Sequence, residues 1–204
     1  MNVVQIFGAT HMNLQDLVDE RLASADAHLD TAPLAIIVVG PIAAGKTRYR
    51  RTQLNRGFVN IDSADIFHQL SAGDAHLDFP DAFADEIEIV GRALTEAALE
   101  QKKNIALETP GADADELIKL VNALKSVGYT VEIEAIATDW ETCELQNASR
   151  GDNVSSYYAA PIHCGWVIDE CTRRTAAPTP SPKVKTSPGW FGRLWKYHSN
   201  TTIH

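Results

Sequence analysis

Residues 34–47 read Leu-Ala-Ile-Ile-Val-Val-Gly-Pro-Ile-Ala-Ala-Gly-Lys-Thr, an apolar run that passes directly into the pattern G-x-x-x-x-G-K-[ST]. That pattern is a phosphate-binding loop when a buried strand precedes it and a helix follows. The strand stops at Gly40 and turns, so that successive backbone N–H groups converge on the phosphates of a nucleotide. The helix starts near Gly45 and points the positive end of its dipole at the same anion. Gly40, Pro41, Ile42, Ala43, Ala44, Gly45, Lys46 and Thr47 are therefore the candidate nucleotide-binding set. Lys46 is placed to reach the outer phosphates, and the Thr47 hydroxyl to ligate Mg²⁺. Glycine at 40 and 45 is expected because a Cβ would obstruct the turn or the approach of the phosphate.

Downstream, the helix over 46–54 carries Arg48, Arg50 and Arg51, with Arg56 just beyond, and most of these read as a solvated face. A second strand over 57–61 runs into Asp62-Ser63-Ala64-Asp65. In a parallel sheet the carboxyl end of a strand opens onto the ligand crevice, so Asp62 and Asp65 lie where chemistry is done. Ser63 as a helix N-cap accounts for part of this cluster, although three polar groups exceed what a cap needs. After a loop at 71–81, Phe83, Ile87, Val90, Leu94 and Ala98 mark one face of a long helix. A third strand at 105–107 leads to Glu108, Thr109, Pro110 and Gly111, again at a carboxyl end. Leu117, Leu120, Val121, Leu124 and Val127 give the next helix, which stops at Gly128. A fourth strand is expected at 129–137, and Thr138-Asp139-Trp140-Glu141 has the form of a capping box for a helix reaching about Arg150. Strands alternating with helices of these lengths specify a parallel sheet covered on both faces.

The 204 residues fit one medium domain with an appendage. Upstream of the loop, Leu14, Leu17, Val18, Leu22 and Ala25 recur at helical spacing, so residues 1–30 read as a helical segment packed on the body, or else as a partner-binding helix. Beyond Gly151 the pattern weakens until a short helix near 166–174. From Thr175 the sequence turns to Pro-Thr-Pro-Ser-Pro-Lys, an extended linker. Two regions follow, a domain at 1–174 and a linker with a basic aromatic tail at 175–204. The tail holds Lys183, Lys185, Arg193 and Lys196 and no acid, although the whole chain carries a net charge of −9. Trp190, Phe191, Leu194 and Trp195 share one helical face, fit for a partner, an anionic membrane surface or the chain's own acidic domain.

The acidic balance argues against general nucleic-acid binding, which depends on neutralising phosphates. Cys143, Cys164 and Cys171 form no paired framework, which suits a reducing compartment. His163, Cys164 and Cys171 lack a fourth metal ligand at a usual spacing. No signal-peptide pattern and no run near the ~20 apolar residues of a membrane span is present, so a cytoplasmic location is expected.

Between Leu34 and Arg150 the chain resembles the zeta-toxin-like P-loop kinases. The resemblance rests on Gly40 to Thr47, Ser63-Ala64-Asp65-Ile66, Leu107-Glu108-Thr109, Gly128-Tyr129-Thr130-Val131 and Arg150, in that order and spacing. It implies an α/β fold of P-loop NTPase type, ATP and Mg²⁺ as cofactors, and phosphorylation of a sugar hydroxyl of UDP-N-acetylglucosamine or a related nucleotide sugar. It also implies an inhibitory antitoxin as partner; related members act on other small molecules. By position, Asp65 resembles the general base, Lys46 and Arg150 the groups that stabilise the transferring phosphoryl oxygens, and Glu108 and Thr109 the acceptor-binding pair. Asp62 joins the acceptor side and is placed to assist Mg²⁺ through water. The chain departs from the family where a second lid arginine is usual, because His163 stands there and lacks the guanidinium fork. Two further readings stay open: a kinase of another metabolite or of nucleic-acid ends, and a nucleotide-dependent regulatory module that engages a partner through its tail.

Overall fold

The computed structural model describes residues 3–4, 12–23, 25, 32–72, 81–111, 113–149 and 164–176. In chain order the elements are β1 (Val3–Val4), β2 (Met12–Asn13), α1 (Leu14–Leu22), β3 (Leu34–Val39), α2 (Lys46–Gln53), β4 (Val59–Ile61) and α3 (Ser63–Leu70). After a 3₁₀ turn at Asp81–Phe83 come α4 (Ala84–Glu100), β5 (Ile105–Thr109), α5 (Ala114–Ser126), β6 (Thr130–Ala135), α6 (Trp140–Ala148) and α7 (Cys164–Ala176). The two short strands β1 and β2 pair antiparallel ahead of α1, an element the sequence pattern did not signal.

The main sheet has four parallel strands in the order β4-β5-β3-β6. Its centre is the apolar run before the phosphate loop, because only a strand buried on both faces can be apolar throughout. Alternation then divides the side chains between two layers. Ala35, Ile37 and Val39 of β3 join Ile105 and Leu107 of β5 in a large core closed by Leu94 and Ala98 of α4 and Leu117, Val121 and Leu124 of α5. Ile36 and Val38 face the other way, into a small cluster with Ala106 and Leu54 near α2. Both faces are covered, as the alternating pattern requires, but unequally. Burying a side chain such as Ile37 completely stabilises the fold by roughly 1.5 to 3 kcal/mol.

Helix α1 packs on the domain, although it covers only Leu14–Leu22 of the 1–30 segment read as helical. Leu17 packs with Ile66, Phe67, Leu70, Phe83, Ile87 and Val90 in a cluster that joins α1, α3 and α4. At the other end α7 packs on α5 and β6, with Cys171 fully buried and Arg174 Nη1 donating to Asp115 Oδ1 at 2.5 Å. It starts earlier and ends later than the 166–174 segment expected. Residues 177–204, which hold the Pro-rich linker and aromatic tip, lie outside the described residues, as do Arg150 and His163.

Three local expectations are corrected. Val127 is 43% exposed, because α5 ends at Ser126 and the chain turns through Gly128 at φ +93° into β6. Ser63 does not cap α3; the cap is Asp62, whose Oδ1 accepts from the Asp65 N–H at 2.9 Å. The capping box at 138–141 is also not formed. Asp139 caps α6, accepting from Thr142 N–H at 2.8 Å, while Thr138 Oγ1 donates to the carbonyl of Ala44 in the phosphate loop at 2.9 Å.

Candidate active site

The strand order reverses direction beside β3: the chain leaves β3 for β4 on one side and leaves β5 for β6 on the other. Such a switch point opens a crevice outside the carboxyl ends of the strands. Val39 and Thr109 are register partners, so residues 40–47 and the pair Glu108 and Thr109 leave the sheet side by side. Asp62 and Asp65 follow β4 on the far side of β5.

Each glycine of the loop has its own reason. At Gly40 a Cβ would stand 2.8 Å from the carbonyl oxygen of Ile136, so the obstruction comes from the neighbouring strand's exit and needs no ligand. Gly45 has open space around it but sits at φ +97°, a left-handed conformation that side chains rarely adopt. Ala43 is also left-handed, at φ 61°. Lys46 Nζ donates to the carbonyls of Gly40 at 2.8 Å and Pro41 at 2.9 Å, which folds the lysine over its own loop.

Around this loop the structure brings together groups that lie far apart in the chain. The Thr47 hydroxyl donates to Glu108 Oε2 at 3.1 Å. Glu108 Oε1 accepts from Arg50 Nε at 2.6 Å. Arg50 Nη2 reaches Asp65 Oδ2 at 2.5 Å and lies 3.5 Å from Asp62 Oδ1. Arg51 Nη2 donates to the other Asp65 oxygen at 2.7 Å. Among the residues singled out from sequence, Thr47, Asp62, Asp65 and Glu108 are thus joined through one cluster, with Lys46 beside Thr47 and Thr109 beside Glu108 in the chain. Thr109 is half-buried at the end of β5, where its Oγ1 accepts a long 3.3 Å contact from the Gly111 N–H.

Arg50 was missed. It is not part of a solvated face, because its side chain is 2% exposed. Arg48, Arg51 and Arg56 are exposed as expected. The signal was present in the spacing: Arg50 follows Lys46 by four residues, one helical turn, and so shares its face. Helix α2 has the sequence KTRYRRTQ, with no aliphatic residue to turn toward the sheet. Tyr49 meets the Ile36 and Val38 cluster, and Arg50 takes the buried place among the carboxylates.

These neighbours set the charge states. Burial would lower the basicity of Arg50, but Asp62, Glu108 and Asp65 outweigh it and hold the guanidinium above its ordinary value. Burial would likewise raise the Asp65 carboxyl, yet Arg50 and Arg51 beside it keep it below the usual carboxylate range. Asp62 goes the other way. Burial, with repulsion from Glu108, pushes it up to about 6 despite Arg50.

Oxygen donors at Thr47 and Glu108 suit a hard cation such as Mg²⁺. Among the described residues no group of three or more His, Cys, Asp or Glu is arranged to hold a metal by itself. Also among the described residues, no helix is long and apolar enough to cross a membrane.

The phosphate loop at the switch point of a parallel sheet defines an α/β protein of P-loop NTPase type. Residues 36–163 match the family model described as AAA domain, and the chain belongs to that family. No curated protein matches the sequence. Among solved structures, the chain is similar to one from work on the PezAT chromosomal toxin-antitoxin system of the human pathogen Streptococcus pneumoniae, with a TM-score of 0.53 and 20% identity over 79% of this chain and 67% of that one. It is also similar to the AvrRxo1-ORF1:-ORF2 crystal structure with ATP, with a TM-score of 0.53 and 16% identity over 81% of this chain and 59% of that one. At such identities the likeness establishes a shared fold.

Proposed function

We propose that this chain is an ATP- and Mg²⁺-dependent small-molecule kinase that transfers the γ-phosphoryl group to a sugar hydroxyl of a nucleotide sugar such as UDP-N-acetylglucosamine. The observation that carries the reading is that Asp65, ionised and 17% exposed, is joined through Arg50 and Glu108 to Thr47 of the phosphate loop. A phosphate loop alone binds a nucleotide; an ionised carboxylate at a neighbouring strand end gives it an acceptor side. The fold shared with a structure from a toxin-antitoxin system and with one holding ATP supports this choice.

In this reading Lys46 leaves the Gly40 and Pro41 carbonyls and turns to the β- and γ-phosphates. Thr47, steadied by Glu108, would hold Mg²⁺, which when bound neutralises charge on the phosphate oxygens. Asp65 accepts a hydrogen bond from the acceptor hydroxyl and orients it in line with the γ-phosphorus. A new O–P bond forms, the bond to the β-phosphate oxygen breaks, the hydroxyl proton passes to Asp65, and ADP leaves. A carboxylate this acidic is a weak base, so its work is mostly orientation, with proton transfer late. Glu108, Thr109 and Asp62 bound the acceptor side, and Arg150 is assigned to the phosphoryl oxygens with His163 on the lid. Residues 1–174 form the catalytic unit, and the 175–204 tail and an antitoxin-like inhibitor are partner-directed elements.

The test is intact-mass and phosphorus NMR analysis of a nucleotide-sugar mixture incubated with the protein, ATP and Mg²⁺. A new phosphate on UDP-N-acetylglucosamine that is absent with Lys46→Ala and reduced with Asp65→Ala is the expected result. ATP binding without any phosphorylated product would reject the nucleotide-sugar acceptor.

A further inference from the structure

We propose that Arg50 is a positioning residue that sets the alignment of phosphoryl donor and acceptor, an inference that rests on the kinase reading above. Lys46 and Thr47 begin α2 on the nucleotide side, and Arg50 stands one turn further along the same helix. From there its guanidinium engages two strand exits at once: Nε with Glu108 after β5, and Nη2 with Asp65 and Asp62 after β4. The helix that holds the donor is thus joined to the carboxylate that orients the acceptor. With 2% of its side chain exposed, Arg50 has no room to touch a substrate itself. It acts through Asp65 and Glu108.

The chemistry of the residue favours this role over simple packing. A buried guanidinium among carboxylates is often no more stable than apolar side chains of the same volume, so stability alone does not call for it. What the guanidinium provides is geometry: a planar fork whose donors hold two carboxylates at fixed angles. Lysine would keep the charge and lose the fork. Arg51 contrasts with it, being 61% exposed and bound to the outer oxygen of Asp65 alone.

The experiment compares wild type, Arg50→Lys, Asp65→Asn and the double variant in Mg-ATP turnover, with UDP-N-acetylglucosamine and separately with water as acceptor. ATP affinity is measured in parallel with a fluorescent ATP analogue. Misplacing reacting groups by about 1 Å costs on the order of 100-fold in rate, so Arg50→Lys should lower turnover by at least about tenfold while ATP affinity stays within about twofold. Because Arg50 acts through Asp65, the same substitution in the Asp65→Asn background should lower turnover by less than about threefold. A merely structural role predicts independent, multiplying losses and a parallel loss of ATP affinity, and either result overturns the proposal. Should Arg50→Lys not fold by circular dichroism, Arg50→Gln, a planar donor without charge, takes its place in the same cycle. Wild type without turnover on either acceptor would reject the kinase reading and this inference with it. An active wild type matched by an equally active Arg50→Lys would reject the inference alone.

Discussion

The Thr47 hydroxyl donates to Glu108 Oε2 at 3.1 Å, joining the first turn of α2 to the last residues of β5 across 61 positions of sequence. Removing that hydroxyl leaves Glu108 with Arg50 and takes away one oxygen suited to Mg²⁺. Thr47→Ser should therefore behave like wild type. Thr47→Ala should raise the Mg²⁺ concentration for half-maximal ATP turnover by about tenfold, in line with losses of metal-site oxygens and their supports elsewhere. A Mg²⁺ titration reads the difference, and chelation with EDTA should stop turnover in all three.

Arg50 places its one positive charge against three carboxylates that are 8 to 17% exposed. Arg50→Met deletes that charge and leaves Asp62 and Glu108 without it, with Asp65 still bound to Arg51. We expect a loss of about 3 to 5 kcal/mol at pH 7.5, the range for breaking one partner out of a buried ion pair. Urea denaturation checks it. The loss should shrink near pH 5, where protonation of Asp62 removes one of the repelling charges.

Asp62 is 10% exposed, and its carboxyl is raised from 3.8 to about 6, so the folded state binds a proton that the unfolded chain has released. Its stabilising contribution is complete below about pH 4 and disappears as pH rises through 6, an effect on the order of 3 kcal/mol. Asp65, whose carboxyl is lowered, acts in the opposite sense and in a lower window, losing its contribution as pH falls below about 4. Asp62→Asn keeps a side chain able to cap α3. Its melting temperature should be flatter than that of wild type between pH 4 and 6, and no lower at pH 7.5.

The loop glycines should fail differently. Gly40→Ala drives a methyl to 2.8 Å from a backbone oxygen that cannot turn away, and should cost about 1 to 3 kcal/mol together with ATP affinity. Gly45→Ala meets no atom within 4 Å, so its cost is conformational, about 1 to 2 kcal/mol from the left-handed backbone. Gly40→Ala should thus shift β6 as seen by hydrogen exchange at Ile136, and Gly45→Ala should leave it in place.

Asp139→Ala removes the cap of α6 and should destabilise it by about 1 kcal/mol. Thr138→Val leaves that cap intact and instead frees the Ala44 carbonyl, so it should weaken ATP binding with α6 unchanged. Circular dichroism and nucleotide titration separate the two. A working capping box at 138–141 would give the reverse pattern.

Much of this molecule is legible in its pattern of apolar residues, because periodicity reports which face of an element is buried. The run at 34–39, the helical stripes of α4 and α5 and the strand ends at 62 and 108 all follow from it. The caps of α3 and α6 were misplaced by one residue, since Asp62 and Ser63, or Thr138 and Asp139, are equally able to cap. Which one does so depends on where the backbone leaves the sheet. The short β1 and β2 pair has too few residues to show a period.

By itself the sequence determined the phosphate loop, the parallel α/β architecture and the set of polar residues at the strand ends, because each of these is written in local spacing. Only the tertiary structure decided that Arg50 is buried, that Asp65 is held ionised while Asp62 is pushed toward protonation, and that Thr47 meets Glu108. Those properties belong to charges brought within a few ångströms of one another by strand order. Coulomb energy depends on that distance and on exclusion of water, neither of which a linear spacing contains.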